Sequence, residues 1–401
     1  MTVSQAALAE CAGFAVGLQA ALPPAMRPLF DGVFLRSWDL YDEFVYRLAL
    51  RVFLDAGLDQ AVREPVTTAE IVARAGFEDG RARIPLDWIL HQLATRKVLE
   101  TRGDAAAPRW ARGPEPLLAL DPEPVRAEQT ELDATWLPAY VLAETVARDY
   151  GRFLRGEISG EDVLFSPARF RMWIEYFSNA NGLYAVNNRV GAIAVEEWLP
   201  RPGGVILELG GGLASAALAV LERLEATGKL GGLGEYRFTE LVPAFLRRGQ
   251  QTLQARFPGL GALRFGALDM NRPFEAQGVA PGSVSMVYAV NTLHVASDLA
   301  FTLGEIARAL EPGGRLVASE CVRMLPGQAL NAEFIFNLMA TFRSRRPDTP
   351  GQPPAGFLLP EEWTAALAGA GFGAIRFLPD VTTFSTRFPR FHVAAIGAQR
   401  P

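Results

Sequence analysis

The sequence predicts an α/β fold: a seven-stranded, mostly parallel sheet with a reversed last strand, preceded by a helical N-terminal domain. Three observations predict it. From Gly204 onward, short apolar runs alternate with glycine turns and amphipathic helical stretches. The first run, Val205-Ile206-Leu207-Glu208-Leu209, passes straight into Gly210-Gly211-Gly212 and then a helical pattern from about Ala214 to Ala226. Upstream, helical periodicity dominates and only one short strand pair interrupts it.

Composition bounds the rest. At 401 residues the chain exceeds what one core usually supports, so two domains are expected. It is 49% hydrophobic and 21% charged, ordinary for a soluble globular protein. A net charge of −5 argues against binding of the whole molecule to a polyanion. Only Lys97 and Lys229 are lysines, an arginine bias that reads as codon usage. Cys11 and Cys321 are too few and too dispersed for a disulfide framework or a zinc site, and no ligand spacing marks a metal. The apolar stretch Ala6 to Leu22 contains Glu10 and Gln19 and follows no basic residue, so it fails as a signal peptide and is weak as a membrane span. A cytoplasmic protein without a membrane or nucleic-acid partner is expected.

In the N-terminal region Phe44, Leu48 and Val52 recur at helical spacing before Gly57. Thr67 and Glu70 form a capping-box pattern ahead of Ile71 and Val72, and Gly76 closes that helix. A third helix is expected from about Pro85 to Thr95. Val98 to Thr101 and Arg109 to Ala111 then flank a Gly103-Asp104 turn, a small hairpin. Three helices and a hairpin make a winged-helix pattern. The third helix lacks the basic stripe of a DNA reader, carrying Asp87, His91, Arg96 and Lys97 among Trp88, Ile89, Leu90 and Leu93. The order resembles the domain in front of many small-molecule O-methyltransferases, which implies a homodimerisation role and a wall of the substrate pocket. After a Pro- and Gly-rich linker from Gly103 to Val125, helical pattern resumes from Leu132 to about Arg155. Ser166-Pro167 opens a further helix with Trp173, Tyr176 and Phe177, leading into Tyr184 and Asn187.

A strand feeding a glycine turn that opens a helix brings backbone close to a ligand. Nicotinamide sites share that geometry, but they carry a third glycine at fixed spacing. Here Gly210 and Gly212 precede Leu213, Ala214 and Ser215, while Glu208 stands in front. The resulting Glu-x-Gly-x-Gly resembles the first motif of class I S-adenosylmethionine-dependent methyltransferases, which implies Glu208 beside the methionine part of that cofactor. Downstream pieces follow in order. Tyr236 to Glu240 reads as a second strand ending in a carboxylate able to accept from both ribose hydroxyls. Leu263 to Met270 reads as a third strand and its turn, with Asp269 toward the adenine amino group and Met270 on the ring.

Val284 to Val290 makes a fourth strand ending in Asn291-Thr292-Leu293-His294, and Pro312-Gly313-Gly314 ends the next helix before a strand from Arg315 to Glu320. Asn-x-Leu-His, Glu-Pro-Gly-Gly and a strand ending in Ser-Glu are together similar to the C-methyltransferase domains of polyketide synthases, over about Tyr184 to Val322. The resemblance implies a base and orienter dyad at His294 and Glu320, with Asn291 at the cofactor. An acceptor carbon between two carbonyls must lose a proton before it attacks, and a histidine with an unperturbed pKa of about 6.5 suits that task. On this reading Glu320→Gln is expected to be milder than His294→Ala. His91 and His392 read as structural.

The expected organisation is therefore 1–125 helical and winged-helix-like, 126–198 helical linker and lid, and 199–401 a Rossmann-like class I methyltransferase sheet. A helix from Ala332 to Arg345 carries Phe334, Phe336, Met339 and Phe342. Tyr176, Tyr184, Asn187, Phe334 and Met339 are the pocket candidates. The expected activity is C-methylation of a β-keto or polyketide-like natural-product intermediate, small or carrier-tethered. Two alternatives stay open: O-methylation of a phenol or enol, and a cofactor-binding regulator without turnover.

Overall fold

The computed structural model describes residues 16–103, 108–199, 201–343 and 356–401. Cys11, Asp104 and the Pro-rich segment 347–354 lie outside them. The chain divides into two compact units. The helical unit is Leu35–Tyr176 together with 327–343 of the described residues; the sheet unit takes 16–34, 177–326 and 356–401. These boundaries differ from the three consecutive segments expected. The region 126–176 joins the N-terminal helices, and a piece of the C-terminal half joins them too.

The helical unit holds α1 (Gly32–Asp55, entering it at Leu35), α2 (Thr68–Arg74), α3 (Asp79–Thr95), the hairpin β1 (Leu99–Arg102) and β2 (Arg109–Arg112), α4 (Glu123–Leu132), α5 (Leu137–Leu154), α6 (Gly160–Phe165) and α7 (Phe170–Tyr176). The Thr67 side chain accepts from the Glu70 amide and Glu70 reaches back to the Thr67 amide, so the capping box forms as expected. α3 starts six residues before Pro85. Proline has no N–H for the carbonyl four residues back, Arg81, and Arg343 donates to that oxygen instead at 2.9 Å.

The sheet unit contributes α8 (Gly182–Glu197), β3 (Val205–Leu209), α9 (Ser215–Ala226), β4 (Glu235–Thr239), α10 (Pro243–Arg256), β5 (Leu263–Gly266), β6 (Val284–Val290), α11 (Leu299–Ala309) and β7 (Leu310–Cys321). The expected helix over 332–345 is instead two short ones, α12 (Glu333–Phe336) and α13 (Ala340–Arg343), in the helical unit. Gly160 at the start of α6 presses on the break, since a Cβ there would lie 1.8 Å from the Leu338 carbonyl oxygen. Back in the sheet unit come α14 (Pro360–Gly369), β8 (Gly373–Leu378), α15 (Val381–Arg387) and β9 (Val393–Gln399).

The seven strands run in the order β5-β4-β3-β6-β7-β9-β8. Pairings from β5 through β7 are parallel, and β9 is antiparallel to both β7 and β8, the reversed strand expected. The strand order turns back between β3 and β6. In open parallel sheets the crevice beyond the carboxyl ends at such a switch is where ligands bind. α8 lies close over the sheet because Gly191 has no side chain; a Cβ there would sit 2.5 Å from the Tyr288 hydroxyl.

Candidate active site

Two loops leave the carboxyl ends at the switch point, one after β3 and one after β6. The first is the glycine turn. Gly210 stands at φ +61°, where L side chains are strained, and a Cβ there would meet Thr292 Cγ2 at 2.6 Å. A Cβ on Gly211 would lie 2.2 Å from the Phe238 ring. The Gly211 amide donates to the Thr239 carbonyl at 2.8 Å, and the Gly212 amide to Glu240 Oε2 at 2.8 Å. Glu240 Oε1 accepts from the Val242 amide at 2.7 Å, so one carboxylate holds both the turn and the entry to α10.

Glu208 is buried beneath this turn, and Tyr236 donates its hydroxyl to Oε2 at 3.1 Å. Among the described residues no arginine or lysine pairs with it. Burial pushes its carboxyl up to about 8, against the lowering effect of the Tyr236 bond. The folded chain therefore holds a proton that the unfolded chain, at 4.5, has released. That contribution to stability is complete below pH 4.5 and is lost as pH rises toward 8. Glu208→Gln should accordingly gain stability over the wild type across that window, by up to about 5 kcal/mol at its upper end. Denaturant unfolding of the cofactor-free proteins at several pH values reads this; parallel curves would show that Glu208 does not titrate there.

The second loop carries the dyad. His294 and Glu320 are both buried, and His294 Nδ1 lies 2.6 Å from Glu320 Oε2. Glu320 Oε1 accepts from the backbone amides of Thr292 at 3.1 Å and Leu293 at 2.9 Å. An ionised carboxylate only accepts, so Nδ1 carries the hydrogen and the basic lone pair falls on Nε2. Phe357 packs against the imidazole with ring centroids 4.7 Å apart.

Tyr184, on α8, is under the influence of three acids. Burial first, then the charges of Glu208, Glu240 and Glu320, raise its phenol well above the ordinary tyrosine value. The two loops and α8 thus enclose buried carboxyl groups, and among the described residues their one basic partner is His294. Carboxyl groups so placed can ionise against a ligand bearing positive charge and suit it better than a pyrophosphate. S-adenosylmethionine, with its sulfonium and ammonium groups, fits that donor set.

The remaining candidates are placed as follows. Asp269 and Met270 are half-buried on the turn after β5, where Asp269 Oδ1 accepts from the Asn271 amide at 2.9 Å. Asn291 Oδ1 accepts from Asn187 Nδ2 at 2.8 Å, so these two side chains are turned toward each other. Tyr176, Phe334 and Met339 belong to the helical unit. Phe334 is fully buried there, its ring 4.9 Å from Tyr150 and 5.6 Å from Trp88, a core position. His91 bonds the Asp87 carbonyl at 2.8 Å and sits edge-on to Trp110, while burial pushes His392 down to about 4. Sequence reading missed Thr292, Tyr236 and Ser319, whose neighbours across the sheet carry no local signal.

The architecture is shared with carbon methyltransferases of known structure. The CurJ carbon methyltransferase superposes with a TM-score of 0.73 at 19% identity, covering 97% of this chain and 99% of that one. The DszA carbon methyltransferase gives 0.71 at 22% identity, covering 94% of each. Residues 207–318 match the family described as "Methyltransferase domain". The chain carries an S-adenosylmethionine-dependent methyltransferase domain, and it resembles the C-methyltransferase domains of polyketide synthases. "Highly reducing polyketide synthase 2" of Gibberella zeae is 31% identical over 212 residues, 51% of this chain and 8% of that protein. Pyochelin synthetase PchF of Pseudomonas aeruginosa is 29% identical over 266 residues, 65% of this chain and 14% of that protein. The chain thus spans a small fraction of the length of these relatives. Among the described residues no helix is long and apolar enough to cross a membrane.

Proposed function

We propose that the chain methylates an activated carbon of a β-ketoacyl or polyketide-like acceptor, small or carrier-tethered, with His294 as general base and Glu320 as its orienter. The observation that carries this reading is the buried 2.6 Å contact between His294 Nδ1 and Glu320 Oε2 at the switch point, next to the glycine turn. Bound S-adenosylmethionine would supply an electrophilic methyl group. The turn at 210–212 would take its methionine part beside Glu208, Glu240 the ribose hydroxyls, and Asp269 with Met270 the adenine.

His294 Nε2 takes the proton from the acceptor carbon, and the electron pair left behind becomes the nucleophile. Glu320 holds Nδ1–H and balances the imidazolium that forms, as the acid does in hydrolase triads. The two backbone amides on Oε1 fix the carboxylate in orientation. Support from the relatives is their description as carbon methyltransferases and polyketide synthases.

Product made from a β-ketoacyl thioester with ¹³C-methyl cofactor distinguishes the bond formed. A carbon-bound methyl resonance is expected. An oxygen-bound resonance, far downfield, would replace carbon with oxygen as the target and favour a phenol or enol acceptor. No labelled product from any acceptor, with intact cofactor binding, would favour a regulator without turnover.

A further inference from the structure

We infer that Asn187 is a positioning residue for the general base, acting through Asn291; this rests on the role proposed for His294. The bond between the two amides belongs to a closed ring across three elements. Asn187 Nδ2, on α8, donates to Asn291 Oδ1 just beyond β6. The Asn291 amide donates to the Ser319 carbonyl on β7 at 2.9 Å. Ser319 Oγ returns to the Asn187 carbonyl at 2.7 Å. Asn187 and Ser319 are buried and Asn291 is half-buried, and the bond from Ser319 Oγ is made away from water.

The ring matters because of what it encloses. Asn291 stands at φ +47°, a left-handed conformation that asparagine tolerates better than most residues but that still must be held. This residue follows β6 directly and leads the chain into Thr292, Leu293 and His294. The Glu320 side chain receives the next two amides, and Glu320 follows Ser319 directly on β7. The strand-end turn is therefore gripped twice, by Glu320 on its catalytic side and by Asn187 from α8. A second set of amides ties the same helix to the start of α9, just after the glycine turn. Asn188 Nδ2 donates to Asn179 Oδ1 at 2.8 Å, and Asn179 Nδ2 donates to the Ser215 carbonyl at 2.7 Å. α8 is a strut that fixes the base relative to the cofactor turn. Asn187 and Asn291 thus act through the backbone, with their side chains directed at one another.

The test compares two acceptors, a weakly acidic β-ketoacyl thioester and a 1,3-diketone already ionised at the assay pH. Asn187→Ala should lower kcat on the thioester about 10–100-fold, the scale of a misplacement near 1 Å. On the ionised diketone it should lose less than about threefold, because no proton needs removing. Asn291→Asp keeps both the acceptor and the tolerance of φ +47°, and should recover most of what Asn291→Ala loses. A loss from Asn187→Ala that is equal on both acceptors, with Asn291→Asp no better than Asn291→Ala, overturns the proposal. His294→Ala run beside them separates the two readings: equal loss on both acceptors for that variant overturns the base assignment itself. If Asn187→Ala does not fold, the Asn291 pair decides alone.

Discussion

His294→Ala is expected to lower turnover on a weakly acidic acceptor by about 10²–10⁴-fold, the range that a positioned general base supplies. Affinity for S-adenosylmethionine, read by calorimetry, should change little, because the imidazole is held by Glu320 and Phe357 and the cofactor candidates other than Asn291 lie on other loops. Wild-type turnover in the alanine variant would make the residue structural. The geometry also narrows the gap expected from sequence between Glu320→Gln and His294→Ala. Oε1 is committed to two backbone N–H groups, so a glutamine would place its carbonyl there and turn its amide toward His294. An amide facing Nδ1 donates, which moves the imidazole hydrogen to Nε2 and removes the lone pair the reaction needs. In hydrolase triads that tautomer error costs about 10⁴-fold. Glu320→Gln should therefore be nearly as impaired as His294→Ala; a variant within about tenfold of wild type would show that the carboxylate does not set the tautomer.

Gly210→Val is expected to abolish cofactor binding. A β-branched residue at φ +61° is strained by roughly 1–3 kcal/mol, and its Cβ falls 2.6 Å from Thr292 on the loop that carries His294. Relief requires the glycine turn, the catalytic loop or both to move, and a loss of at least about 3 kcal/mol is roughly a hundredfold in affinity. Gly228→Ala provides the control. That glycine has φ +70° with open space around its Cβ position, so it carries backbone strain without the collision. Calorimetry should show S-adenosylmethionine binding in Gly228→Ala and none in Gly210→Val. Equal binding in both would remove the turn from the cofactor site.

What was legible in the sequence was what local pattern controls. β3 and its turn announce themselves because an apolar run must be buried and three glycines must bend. His294 and Glu320 stand out because each lies at or just past the end of a strand that faces the crevice. The sequence offers Asn291 as a cofactor residue and Asn187 as a pocket residue. Their mutual bond spans 104 positions of sequence, and no periodicity records it. The start of α3 was misplaced for a similar reason. Pro85 reads as a first-turn residue, and the arginine that satisfies the carbonyl it leaves open lies 262 positions downstream. The place of 327–343 in the helical unit escapes local pattern for the same reason, since it depends on contacts with residues far upstream.

The return of that segment has a consequence for how the chain is made and cut. Trp88 donates to the Leu330 carbonyl at 2.9 Å, Gln92 to the Ala329 carbonyl at 3.1 Å, and Phe334 fills the space between Trp88 and Tyr150. Deleting a buried phenylalanine from such a position costs about 3–5 kcal/mol, a large share of a domain's stability. A fragment ending near residue 198 therefore carries a notch where this aromatic plug belongs. On the ribosome the helical unit stays unfinished until most of the sheet unit has been synthesised, so the two mature together instead of in order of synthesis. Exchange of the N-terminal helices between relatives must carry the plug with them, as two separate segments rather than one.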